Sequence, residues 1–172
     1  MLHRDIAWRA MTGYDIDAVF DIANRVHPDF FEARAILAER QELYRNGCYL
    51  LEVSEKPAGY VLSHPWRLGS LPELNAPLGA LPEGADSYYI HDLALLPLTR
   101  GLGAAGQIVA ALTKHAKVMG LASMSLVAVN GSLGFWERQG FSVSDQPGLA
   151  EKLATYEGAA RYMIKDLDQT SA

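Results

Sequence analysis

At 172 residues, 49% hydrophobic and 20% charged, the chain has the composition of one soluble globular domain able to bury its own core. Its formal net charge of −5 argues against a general nucleic-acid binder, which carries a basic stripe. Cys48 is the single cysteine, so no intrachain disulfide forms, the first residues lack the apolar run of a secretion signal, and no apolar run is long enough to span a bilayer. We therefore expect one domain over residues 1–172, cytoplasmic, with no nucleic-acid or membrane partner and no metal. The oligomeric state stays open between monomer and homodimer.

Residues 6–9 read as a short strand. Ile16, Val19, Phe20, Ala23 and Val26 recur at helical spacing, and Pro28 stops that helix. A second helix is predicted over residues 31–45, closed by Asn46-Gly47. Residues 48–53 and 58–63 form two strands joined by Ser54-Glu55-Lys56-Pro57, a hairpin. Residues 67–86 hold Pro72, Pro77, Pro82, Gly69, Gly79 and Gly84 and show no period. A loop of that length inside a domain is more often functional than idle, and we read it as a substrate loop. A strand over residues 88–96 precedes a helix over 107–119, whose apolar face is Ile108, Val109, Leu112, Ala116 and Met119. Residues 124–129 form a buried strand. Ser132 caps a short helix through Arg138, and strands resume at 141–143 and 161–167. Strands interleaved with helices imply an α/β or α+β layered fold.

The most informative stretch is Arg100-Gly101-Leu102-Gly103-Ala104-Ala105-Gly106, between a strand and a helix. A glycine-rich turn at a helix start presents unpaired amides at the positive end of the helix dipole, a device for holding phosphate. Gly101-x-Gly103-x-x-Gly106 also spells the dinucleotide fingerprint. That reading fails on three counts: Pro97 to Arg100 separate strand from glycines, residues 121–129 carry no acid for the ribose, and half the chain comes first. No Gly-Lys-Ser/Thr follows, so a Walker loop is excluded, and Ser132 has no Gly-x-Ser-x-Gly frame.

Arg100-x-x-Gly103-x-Ala105, with Leu93-Ala94-Leu95-x-Pro97 upstream and Asn130 followed by Phe135-Trp136-Glu137-Arg138-Gln139-Gly140-Phe141 downstream, resembles the GNAT superfamily of acetyl-CoA-dependent N-acetyltransferases. The resemblance is densest over residues 88–143. It implies an α+β, three-layer fold: a mixed, mostly antiparallel central sheet with a splayed strand pair and helices on both faces. It implies acetyl-CoA as co-substrate, with pantetheine along Leu93, Ala94 and Leu95. The pyrophosphate would lie on Arg100, Gly101, Leu102, Gly103, Ala104, Ala105 and Gly106, and Asn130, Phe135 and Trp136 would line the cofactor arm. A backbone N–H near Leu93 or Ala94 would polarise the thioester carbonyl. Trp136 departs from the pattern, which has tyrosine there as acid for the leaving thiolate; indole donates a hydrogen bond but is no usable acid.

Attack by an amine needs a base, because alkylammonium groups titrate near pH ~10. His91 carries the residue type suited to that work near neutrality. Strand alternation predicts Tyr89, His91 and Leu93 on one face, and Tyr88, Ile90, Asp92 and Ala94 on the other, which keeps His91 and Asp92 apart. Tyr89 is a second catalytic candidate. Tyr89 and His91 stand where the arylalkylamine N-acetyltransferase branch places a His-x-His pair, and His64-Pro65-Trp66 resembles an element at the start of that branch's loop. His64 and Trp66 are accordingly expected to touch a small primary amine. The competing readings are a peptide or protein N-acetyltransferase and a non-catalytic acyl-CoA-binding module.

Overall fold

The computed structural model describes residues 5–167. A seven-stranded sheet runs in the order β1-β2-β3-β4-β5-β7-β6. Its strands are β1 (Ile6–Ala10), β2 (Cys48–Val53), β3 (Lys56–Trp66), β4 (Ser87–Leu95), β5 (Ser123–Ala128), β6 (Ser142–Val143) and β7 (Arg161–Asp166). All pairings are antiparallel except β4 with β5. Helices α1 (Ile16–Val26) and α2 (Arg34–Leu43) cover one face, where Ile16, Val19, Ile22 and Leu37 pack on Leu50, Tyr60, Leu62 and Ala94. Helices α3 (Ala104–Val118) and α4 (Leu133–Arg138) cover the other, packing Ile108, Leu112, Ala116 and Trp136 on Tyr88, Ile90, Leu126 and Met163. This is the α+β, mixed-sheet, helices-on-both-faces architecture that the sequence motifs imply.

Local chemistry sets most boundaries. The α1 helix ends at His27 because the residue before a proline is pushed out of the helical region, and His27 has φ −121° and ψ 58°. Ser54 and Glu55 both have positive φ, the turn that matches the twist of a two-residue hairpin between β2 and β3. Several predicted boundaries shift, and one helix is not predicted. The second helix is shorter, because residues 31–33 approach α2 extended and a 3-10 turn, Arg45–Gly47, follows it. The α3 helix starts three residues earlier, at Ala104. The short helix α5 (Ala150–Ala154) has no apolar period to announce it.

Two irregularities in β4 shape everything around it. Its ladder with β5 stops at Ile90↔Leu126, although β4 runs on to Leu95 and β5 to Ala128. On the other side, consecutive Leu62 and Ser63 of β3 face Asp92 and Ile90, which leaves His91 as an extra residue. That is a β-bulge, and it shifts the side-chain phase. Ile90 and Leu93 therefore pack toward the same α3-side core, which strict alternation forbids, while Ala94 joins the α1 side.

Gly47 shows how tightly β3 is seated. Its carbonyl accepts from Ser63 Oγ at 2.7 Å, and a Cβ there would overlap the Ser63 carbonyl and the Tyr88 hydroxyl. Gly47→Ala is expected to lower unfolding free energy by about 1–3 kcal/mol in urea titration; an unchanged midpoint would contradict this packing.

Candidate active site

The gap between the diverging ends of β4 and β5 opens into a cavity of about 370 Å3. Leu93, Leu95, Val127, Val129, Phe135 and Trp136 form its apolar walls, and Val26, Phe30 and Leu74 close the far side. A second cavity, about 390 Å3, lies along the turn before α3 and includes Arg100, Gly101, Gly103, Ala104, Ala105 and Gly106. The two adjoin, sharing Leu95, Ala105 and Phe135. Together they make one groove from the glycine turn to the interior of the sheet.

Two glycines of left-handed backbone shape the turn. Gly101 and Gly103 have φ of 79° and 75°, a region that costs any side-chain-bearing residue strain. Gly103 caps α3 without a side-chain acceptor, and the first amide satisfied by the turn is Gln107, bonded to the Gly103 carbonyl at 3.1 Å. The preceding amides of the helix start thus have no acceptor behind them and point out of the helix end. The Trp8 indole of β1 donates to the Ala104 carbonyl at 3.0 Å and fixes this end to the sheet. Leu102 departs from expectation: its amide is bonded to the Thr99 carbonyl at 3.2 Å, and it does not line the groove.

At the inner end, the bulge turns both His91 and Asp92 into the cavity, so the predicted separation of the two does not hold. Each meets an opposite partner from the segment joining α1 to α2. His91 Nε2–H donates to Glu32 Oε1 at 2.7 Å, with side chains 2% and 6% exposed. His27 Nε2–H donates to Asp92 Oδ1 at 2.8 Å, and the Tyr60 hydroxyl donates to Asp92 Oδ2. The His91 Nδ1 atom is buried and has no protein partner. Because Nε2 carries the proton toward Glu32, that Nδ1 is the basic nitrogen of the neutral ring.

Charges inside this apolar cavity are stabilised mainly by one another, with hydrogen bonds from the Tyr60 hydroxyl and the Asn75 amide beside them. Burial disfavours the Asp92 carboxylate, but His27, with smaller help from His91 and the Tyr60 hydroxyl, outweighs it and lowers the pKa. Glu32 is lowered in the same way, with His91 as the main counterweight to burial. Burial opposes charging of His27, but Asp92 and then Glu32 prevail and raise its pKa. Asn130, at a left-handed φ of 56° just past β5, places its side-chain nitrogen 3.0 Å from His27 Nδ1. In that arrangement His27 is neutral; a charged ring would need the amide turned to offer its oxygen.

The remaining predicted residues fall in different places. Asn130, Phe135, Trp136, Leu93 and Leu95 line the inner cavity, and Ala94 is turned into the α1-side core. Trp136 is a core residue as well, wedged between Phe135 and Phe141 at ring distances of 4.9 and 5.5 Å. Tyr89 lies behind the wall, buried, its phenol paired with that of Tyr156. His64 and Trp66 also stand outside the cavity lining. His64 is buried with Nδ1–H bonded to the Pro65 carbonyl at 2.9 Å, and burial holds its pKa down to about 3, so it is a neutral packing residue. The sequence reading missed Glu32, His27, Tyr60 and Tyr156. Tyr156 lines the cavity, and burial pushes its phenol up to about 12. Among the described residues, no group of three or more His, Cys, Asp or Glu side chains could hold a metal ion, and no helix is long and apolar enough to cross a membrane.

Asp92→Asn strips His27 of its counter-charge. The His27 imidazole is then expected to titrate lower by NMR than in the parent protein, and stability at neutral pH to fall by about 3 kcal/mol. Asp92 has a depressed folded pKa, so its contribution is present above the unfolded carboxylate value and lost as pH falls through the folded one. The variant should therefore lose less stability than the parent between pH 5 and pH 2. An unmoved His27 titration would contradict the pairing.

Comparison with known proteins finds one family model, the acetyltransferase (GNAT) family, matching residues 16–141. No curated protein sequence matches. Among solved structures, the GphF GNAT-like decarboxylase in complex with isobutyryl-CoA superposes with TM-score 0.80 at 16% identity, over 94% of this chain and 100% of that one. The ribosomal-protein-S18-alanine N-acetyltransferase from Escherichia coli gives TM-score 0.67 at 16% identity, over 97% of each chain. The PaiA N-acetyltransferase from Thermoplasma acidophilum in complex with coenzyme A gives 0.67 at 12% identity, over 94% and 99%. At such identities the likeness is one of fold.

Proposed function

Because the chain belongs to the GNAT family of acetyl-CoA-dependent acyltransferases, we propose that it moves an acetyl group from acetyl-CoA to the primary amine of a small molecule, with His91 as general base. The observation that carries this reading is the groove that joins a phosphate-accepting helix start to a buried imidazole–carboxylate pair. Pyrophosphate would take the free amides of residues 103–106, with Arg100 at the rim. Pantetheine would enter between β4 and β5, on the edge of β4 that β5 no longer pairs beyond Ile90.

The acceptor nitrogen attacks the thioester carbonyl, the new C–N bond forms, and the C–S bond breaks. His91 Nδ1 takes the amine proton, and Glu32 stabilises the imidazolium through Nε2–H. Two carboxylates, Glu32 and Asp92, beside mainly apolar walls favour a cation on an apolar body over an acidic acceptor. Trp136 supplies no proton, but a thiol of pKa ~8.5 leaves as thiolate with little help. His64 and Trp66, the loop element likened to the arylalkylamine branch, stand outside the cavity, and Tyr89 replaces the first histidine of that branch's pair, so this reading does not use that branch. A peptide acceptor is disfavoured by residues 67–86, which lie over the far side of the cavity through Leu74.

A turnover screen of amines, amino acids and peptides with acetyl-CoA tests the proposal. Saturable thiol release is expected with some small amine. His91→Ala should cut kcat/KM by on the order of 10²–10⁴ while acetyl-CoA affinity stays within about twofold. Gly103→Val should instead weaken acetyl-CoA binding by on the order of tenfold, through strain at positive φ. Binding without turnover on any acceptor would favour the acyl-CoA-binding module, and full activity of His91→Ala would remove His91 as base.

A further inference from the structure

Glu32 uses its two carboxylate oxygens for two different purposes. Oε1 holds His91, and Oε2 accepts the backbone amide of Asn75 at 3.1 Å. Asn75 answers with its own side chain, whose Oδ1 accepts the amide of Ala33, the residue after Glu32, at 2.7 Å. The two bonds form a reciprocal clasp between the α1–α2 connection and the loop of residues 67–86. Asn75 holds it with a left-handed backbone at φ 57°, strain that a non-glycine residue keeps only where surrounding bonds enforce it.

The clasp sits beside the cavity. Leu74, the preceding residue, is the loop's contribution to the wall that closes the cavity opposite β4. The neighbouring loop residues are tied down separately: Tyr156, itself in the cavity wall, donates to the Pro72 carbonyl at 2.9 Å, Arg40 donates to the Ala76 carbonyl at 3.1 Å, and Glu39 accepts from the amide of Leu78 at 2.7 Å. Only the tie at Asn75 runs through a carboxylate that also holds the imidazole. Resting on the N-acetyltransferase reading above, we propose that Glu32 is a positioning residue shared by His91 and the loop, and that Asn75 and Leu74 make the loop an acceptor-specificity element. A seated loop fixes the His91 tautomer with Nδ1 free to take a proton, and it places Leu74 against the apolar body of the amine. An unseated loop loses both together. This also assigns the acceptor its shape: a primary amine on an apolar body short enough to fit under Leu74.

The experiment uses the full chain with Glu32→Gln, Asn75→Gly and Leu74→Ala. Asn75→Gly keeps the backbone amide and tolerates positive φ, so it removes the side-chain half of the clasp with little strain. Three readouts are followed: amide hydrogen exchange over residues 72–79, the 15N tautomer signature of His91, and steady-state kinetics over a series of linear alkylamines. In the parent chain His91 is expected as the Nε2–H tautomer. Glu32→Gln and Asn75→Gly should both speed exchange at residues 74–76 at least tenfold and let the other tautomer appear. Both should also raise the acceptor KM several-fold while the KM for acetyl-CoA stays within twofold. Leu74→Ala should leave exchange and tautomer as in the parent and shift the preferred amine to a longer chain. Faster loop exchange in Asn75→Gly with an unchanged His91 signature and acceptor KM would overturn the proposal, and should Glu32→Gln fail to fold, that variant decides alone. Coupled exchange and tautomer changes without acetyl transfer to any amine would leave the shared carboxylate standing and sink the N-acetyltransferase reading.

Discussion

The site depends on the failure of one strand to pair along its full length. Strand β4 is joined to β5 from Ser87 to Ile90; from there to Leu95 it keeps β3 on one side and has no strand on the other. Backbone groups of a strand deprived of a neighbour need partners, and an interior gap lined by leucine, valine and aromatic side chains supplies none. An extended molecule carrying amides fits such a gap as an added strand, and pantetheine has that chemistry. The glycine turn that starts α3 lies at the mouth of the same gap. On the proposed reading, one groove combines an anion site at its outer end, an amide-pairing edge along its length and ionisable groups at its inner end.

The bulge at His91 gives the inner end its chemistry. A regular strand would have sent His91 and Asp92 to opposite faces. The extra residue sends both to the α1 side, where the α1–α2 connection offers Glu32 and His27. Two isolated carboxylates in a largely apolar cavity would be expensive to ionise. Matched one to one with imidazoles, and with the Tyr60 hydroxyl on Asp92, both carboxyls are held below their ordinary range. The pairs also restrict the histidines. The Asp92 pair spends Nε2 of His27 while Asn130 occupies Nδ1, whereas His91 keeps one nitrogen unengaged. That difference is the ground on which His91, and not His27, is the proposed proton acceptor.

What the sequence made legible is what local chemistry specifies. Glycines at Gly101 and Gly103 announce a turn of positive φ, the helical period of α1 announces its buried face, and the proline after His27 announces its end. The architecture followed once the glycine turn, the strand before it and the aromatic helix after it were taken together. The inner site was not legible, because its bonds join residues far apart in the chain. Glu32 lies 59 positions from His91, His27 lies 65 from Asp92, and Tyr60 lies 32 from Asp92. The one mark of the bulge is a break in alternation, the successive polar residues His91 and Asp92 between Ile90 and Leu93, and a strictly alternating strand sends those two to opposite faces. His64 and Trp66 were drawn into the site by their residue types and their place before the loop, but β3 extends through them to Trp66, and its inward face packs them into the interior.

On the proposed function, the parted ends of β4 and β5 receive the acyl donor and bring its thioester to His91. A crystal structure of the chain with a non-hydrolysable acetyl-CoA analogue tests it most directly. The account predicts pyrophosphate on the amides of residues 103–106, pantetheine between β4 and β5, and the thioester mimic in the cavity with His91. An analogue bound outside this gap, or a gap closed by pairing of β4 with β5 beyond Ile90, would contradict it.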